Sequence, residues 1–142
     1  MNKSFFKMFA VFFLLVFATS LNAGTLEKQG KDWLDAQKDP AAINVSGTWK
    51  SNEFGALTLT QTEGSRDVSG DGGGYDLTGV VSGKSLYLIF STKRHGTADY
   101  CAVVTTQSDT ALIGEYFNRL SRLRFGAGLC QQHGRMLHMN KQ

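Results

Sequence analysis

Residues 77–90 constrain this chain most. Two runs of aliphatic and β-branched residues meet there at Ser82-Gly83, where glycine supplies the positive φ that a tight hairpin turn needs. The first arm also carries a pattern that returns along the chain: an aliphatic residue, any residue, then glycine. Val45-Ser46-Gly47, Val68-Ser69-Gly70, Leu77-Thr78-Gly79 and Leu112-Ile113-Gly114 all show it. Glycine inside a strand weakens it, so its recurrence points to sharp bends or close backbone approach in a small, strongly curved sheet.

Alternation elsewhere agrees. Val45, Gly47 and Trp49 share one side of a first strand, with Ser46, Thr48 and Lys50 opposite; Leu57 and Leu59 then oppose Thr58 and Thr60. Tyr100, Ala102 and Val104 share a face, as do Leu112, Gly114 and Tyr116, and Met136 and His138 oppose Leu137 and Met139. A further strand is expected at 120–125. Ile113 and Phe117 put apolar groups on the second face of their strand, so that face is expected to be covered too. Short segments at this spacing, joined by turns, predict an all-β fold. The simplest topology is an antiparallel up-and-down meander of about eight strands closing into a small barrel, since closure removes exposed edges. The run Asp71-Gly72-Gly73-Gly74 lacks the Lys-Ser or Lys-Thr and the following helix of a phosphate loop, and is expected to be a mobile hairpin loop.

The start of the chain differs. Lys3 and Lys7 precede an apolar run over 8–18, and Leu21-Asn22-Ala23 offers a cleavage site. The run is short for a membrane span, so residues 1–23 read as a signal peptide, with no membrane anchor after cleavage and a periplasmic or secreted mature chain. Residues 24–41 form a short helical lead-in: Thr25 can cap, Glu27 and Lys31 are four apart, and Leu26, Trp33, Leu34 and Ala36 make a partial apolar stripe before Asp39-Pro40 ends it. This stretch is expected to be a short helix over one end of the sheet or a flexible lead-in. Residues 42–142 form the β-barrel domain.

Loss of the leader alters the charge reading. The full chain has 15 basic and 12 acidic residues, which become 13 and 12 without Lys3 and Lys7. A near-neutral mature chain removes the main argument for nucleic acid as a partner. From Lys93 onward, seven Lys or Arg face three acids, and Arg119, Arg122 and Arg124 lie close together. Turned toward an opening, two of them would hold a carboxylate or phosphate; turned outward, they are the edge of a basic half. In an exported chain the two cysteines, Cys101 and Cys130, have one possible pairing, and a disulfide there would contribute about 3 kcal/mol on the chain-entropy model.

Catalysis finds no motif: there is no Gly-x-Ser-x-Gly, His-Glu-x-x-His or Cys-x-x-Cys. His133 and His138 have a spacing that zinc sites use but no acidic or cysteine partner nearby in sequence, so neither metal nor cofactor is expected. Asp99 and Glu115 fall on adjacent predicted strands.

Gly47-Thr48-Trp49 on the first strand, with Leu77-Thr78-Gly79 and Leu112-Ile113-Gly114-Glu115-Tyr116, resembles the small calycin-type barrels, the lipocalins and avidins. The resemblance covers much of 45–117 and implies that Trp49 closes or lines a barrel whose interior binds a small apolar or amphipathic molecule. The chain departs from avidins in lacking further barrel tryptophans and from lipocalins in being short and lacking their helix after the barrel. Two functions follow as expectations. One is an exported, non-catalytic binding protein holding a small apolar or weakly anionic ligand among Trp49, Tyr100 and one of Tyr87 or Phe90, with Arg122 or Arg124 at the mouth. Tyr87 and Phe90 are out of phase, so a regular strand turns only one inward. The other is a protein-interaction module of inhibitor or immunity type with a filled core and a contact surface built on the arginines.

Overall fold

A computed structural model describes residues 25–96, 98–118 and 134–142, with side chains from Gln29 onward. The expected leader 1–23, the side chains of Thr25, Leu26 and Glu27, the strand expected at 120–125, Arg119, Arg122, Arg124, Cys130 and His133 lie outside the described residues.

One helix, α1 (Thr25–Asp35), precedes eight strands: β1 (Gly47–Ser51), β2 (Gly55–Gln61), β3 (Asp67–Gly72), β4 (Tyr75–Ser82), β5 (Ser85–Thr92), β6 (Ala98–Ser108), β7 (Ala111–Asn118) and β8 (Arg135–Lys141). Each strand pairs antiparallel with the next, and β1 returns to β8 through Trp49↔Lys141, Lys50↔Asn140 and Ser51↔Met139. The sheet is therefore a closed up-and-down barrel, compatible with a calycin-like fold. Closure leaves no edge strand among the described residues to template aggregation.

Period-two alternation puts Leu57, Leu59, Leu77, Leu88, Ala102, Val104, Leu112, Leu137 and Met139 inside, each at most 2% exposed, in one packed cluster. An eight-stranded barrel has an interior just wide enough for such side chains to fill. The recurring glycines explain how the ring tightens. Gly70, Gly79 and Gly114 sit where a Cβ would meet a carbonyl oxygen of the neighbouring strand at 2.2, 2.3 and 1.9 Å. The fourth, Gly47, instead needs its φ of 135°.

The Asp71–Gly74 stretch forms no long loop. Gly72 pairs with Tyr75, and the two residues between them, Gly73 and Gly74, have φ of 59° and 87°. Positive φ at both central positions is the type I′ hairpin turn, whose twist matches that of the strands.

The helix packs against the outer wall of the barrel rather than over its end. Leu34 is buried against Val80 and Ile89, both facing outward from β4 and β5, and Trp33 meets Tyr87 edge-on at 5.6 Å. Gly30 allows the contact, since a Cβ there would lie 2.9 Å from Ile89 Cδ1. The link onward is tied down by Arg66, which donates to the Gln37 and Asp39 carbonyls, and by the Ala41↔Gly83 bridge. On β6 and β7, Cys101 and Phe117 are paired and buried although they face outward, so the outer face of β7 is covered at Phe117, while Ile113 is half-buried and Glu115 between them is exposed.

Candidate functional site

The two ends of the barrel are finished differently. Where the chain enters, Gln61 acts as a clamp. Its Oε1 accepts from Val45 N–H (2.9 Å), and its Nε2 donates to the Ile43 and Ser65 carbonyls (both 3.2 Å). Trp49 is 2% exposed and its indole N–H donates to the Val45 carbonyl at 2.8 Å, turning the ring toward this end. Every buried polar atom of the clamp has a partner, as burial requires.

The opposite end is aromatic. Phe54, from the turn between β1 and β2, reaches into it and stacks on Phe90 with centroids 4.3 Å apart and planes at 27°. Tyr75, Tyr100 and Tyr116 surround Phe54 edge-on at 5.8, 5.3 and 5.2 Å. Edge-to-face pairs of this kind contribute about 0.5–1.5 kcal/mol each beyond area burial. The turn that carries Phe54 is fastened: Ser51 Oγ accepts from Phe54 N–H and donates to the Gly55 carbonyl, both at 2.9 Å. Asn52 bonds to β8 through the Met136 and His138 carbonyls and the His138 N–H. Gly73 makes room, because a Cβ there would lie 2.5 Å from the Phe54 carbonyl oxygen.

Within the cluster one polar group is unsatisfied. Tyr116 is 4% exposed, and its hydroxyl is buried with no hydrogen-bond partner. Arg135 pairs with Tyr116 in the β7–β8 ladder, and Arg135 and Glu53 are the charged groups acting on the hydroxyl. Burial, the largest influence, raises the Tyr116 hydroxyl above 10.0; Arg135 opposes and Glu53 reinforces that shift. Tyr75 is raised as well, first by burial, then by Tyr100 and Asp99. Both hydroxyls are therefore donors at neutral pH. Tyr116 and Glu53 in turn hold Arg135 above its usual value, as a cation.

The site residues expected from the sequence separate accordingly. Phe90 and Tyr100 are inward and both touch Phe54. Tyr87 faces outward under Trp33, so Phe90 is the inward member of that pair. Trp49 lines the interior but points to the other end. Arg122 and Arg124 lie outside the described residues. Asp99 and Glu115 do not face one another, since Glu115 pairs with Val103. Phe54, Tyr75, Tyr116, Glu53 and Arg135 were not singled out by sequence as site residues; a large aromatic inside the polar turn Asn52-Glu53-Phe54-Gly55 is the signal that could have found Phe54.

Among the described residues no group of three or more His, Cys, Asp or Glu is arranged to hold a metal ion. A concavity of about 500 Å³ lies outside the barrel between α1 and β3–β6, lined by Leu34, Val80 and Ile89 together with Lys31, Asp35 and Asp67. Its charges are of mixed sign and on the surface. Comparison of the chain with family models, curated proteins and solved structures found no match.

Proposed function

We propose that the chain is an exported, non-catalytic binding protein, lipocalin-like or avidin-like in its barrel, that takes a small apolar or weakly anionic molecule at the aromatic end. The observation that carries this reading is the buried, unpartnered Tyr116 hydroxyl among five aromatic rings and beside Arg135. Leaving a buried donor unmet costs about 1–3 kcal/mol, and a ligand acceptor would recover it. The packed centre argues for binding at the end of the barrel rather than along its axis. Export rests on the apolar leader 1–23 and its cleavage pattern. A Cys101–Cys130 disulfide is part of the same reading, supported by the absence of a free cysteine among the described residues.

The filled interior favours a second reading, a periplasmic or secreted interaction module of inhibitor or immunity type. Native mass spectrometry of the exported chain separates the two. The expected result is a small-molecule adduct that is lost in Tyr100→Ala. A copurifying protein in its place, or an adduct indifferent to that substitution, refutes the proposal.

A further inference from the structure

The turn between β1 and β2 brings two chemistries to the aromatic end on consecutive residues: the Glu53 carboxylate and the Phe54 ring. The ring is well received, lying on Phe90 and enclosed by three tyrosines. The carboxylate is not. Glu53 is exposed; it lies near enough to the Tyr116 hydroxyl to act on it by hydrogen bonding as well as by charge, and on Arg135 by charge, yet the buried hydroxyl has no partner at hydrogen-bond geometry. The chain thus fills the apolar half of a composite seat and leaves the polar half open. A molecule with ring and carboxylate joined by a short linker would fill both, because the Tyr116 ring is only 5.2 Å from that of Phe54.

Resting on the binding role proposed above, we infer that the ligand is a small aryl carboxylate that displaces Glu53 and Phe54. Its ring takes the place of Phe54 on Phe90, and its carboxylate accepts from the Tyr116 hydroxyl beside the Arg135 guanidinium. Charge fixes the orientation. Asp99, which acts on Tyr75 across the cluster, repels an anion on that side, while Arg135 attracts it on the other. Asn52 keeps the turn bonded to β8 while the ring swings out, and the movement gives up the Ser51 Oγ bonds to the Phe54 N–H and the Gly55 carbonyl.

The test titrates the mature chain, cysteines unreduced, with phenylacetate, its neutral isostere phenylacetamide and the ringless hexanoate, by calorimetry. Phenylacetate is expected to bind most tightly. Glu53→Gln, at an exposed site, removes the competing carboxylate and should tighten phenylacetate about two- to fivefold. Tyr116→Phe keeps the ring and removes the donor, weakening phenylacetate at least about tenfold, the worth of a hydrogen bond to a charged group. The same substitution should leave the unfolding midpoint of the ligand-free chain unchanged or higher, since an unmet buried hydroxyl is removed. A purely structural tyrosine would lose stability instead. Phe54→Ala should bind phenylacetate more tightly than wild type, with Phe54→Leu as the substitute if alanine fails to fold.

Phenylacetamide binding as tightly as phenylacetate overturns the carboxylate assignment while leaving an apolar ligand site standing, and hexanoate binding as tightly overturns the ring. Failure of phenylacetate to bind either wild type or the Phe54 variants overturns this inference alone if native mass spectrometry finds an adduct. The absence of an adduct overturns the binding role beneath it.

Discussion

Gly114→Ala tests the geometry on which the barrel depends. A methyl group at Gly114 would lie 1.9 Å from the Val103 carbonyl oxygen and 2.7 Å from Val104 Cα, both backbone atoms of β6. No rotamer change relieves such a contact. To reach ordinary contact the strands must part locally by roughly 1.5 Å, the gap between 1.9 and 3.4 Å. The register pairs affected are Val103↔Glu115, Val104↔Gly114 and Thr105↔Ile113. Losing about two ladder hydrogen bonds costs about 2 kcal/mol, and forcing extra volume against packed backbone adds about 1–3 kcal/mol. Alanine restricts the unfolded chain and returns only about 0.4–1 kcal/mol. The expected destabilisation is therefore about 2–5 kcal/mol, a large share of the 5–15 kcal/mol typical of a domain. Gly64→Ala is the control. Its φ is 71° with nothing within 4 Å, so it bears only the left-handed backbone penalty of about 1–2 kcal/mol. Urea unfolding of both variants, followed by tryptophan fluorescence and far-UV circular dichroism, measures the difference. If Gly114→Ala is no less stable than Gly64→Ala, close strand approach is not what this glycine serves.

Gln61→Leu removes the clamp at the entry end and leaves the Val45 N–H without its partner, along with the Ile43 and Ser65 carbonyls. A loss of about 2–4 kcal/mol is expected. It should come with faster hydrogen exchange at Val45 and with little change in ligand binding at the far end. Alkaline titration reads the tyrosines. Tyr75 and Tyr116 are raised above 10.0 in the folded chain, so the unfolded chain loses those protons first. The stability linked to them is intact below pH 10 and is lost as pH rises through the raised values. Unfolding midpoints measured from pH 8 upward should fall past pH 10, and less steeply in Tyr75→Phe with Tyr116→Phe; an equal fall in that double variant refutes the assignment.

Much of the barrel was legible because a closed antiparallel sheet obeys one local rule, alternation. That rule grouped the faces of β2, β6 and β8 and allowed only one of Tyr87 and Phe90 to turn inward; the packing shows that it is Phe90. The aliphatic-x-glycine pattern announced close approach, although only the register reveals that Gly70, Gly79 and Gly114 each face a carbonyl of the neighbouring strand. Alternation says nothing about turns, and there the reading fell short. Asn52-Glu53-Phe54-Gly55 offers only turn-forming residues around one ring, yet it carries the ring at the centre of the aromatic end. The glycine run read as a loose loop because three glycines promise freedom; paired strands on both sides use that freedom to make a two-residue turn. The placement of α1 depends on Val80 and Ile89, outward-facing residues whose apolar character is a property of the folded wall rather than of the helix that covers it.

The end-to-end contrast bears most directly on function. Gln61, Ser51, Ser82 and the Trp49 indole are buried polar groups of the barrel, and each has a hydrogen-bond partner. Tyr116 has the same degree of burial and none. Phenylalanine at that position would make the same ring contacts without the unmet donor and would give a more stable apo chain. Among the described residues the other buried polar atom without a partner is Gln29 Oε1 on α1; within the barrel, the uncompensated Tyr116 donor, flanked by Arg135 and enclosed by Tyr75, Tyr100 and Phe54, violates a local rule where functional sites are expected to violate it. The same cluster explains why the barrel can be packed through its centre and still bind. Phe54 belongs to a turn rather than a strand, so its ring can leave without parting any pair of the β-ladder, and the volume it vacates is already lined for another ring.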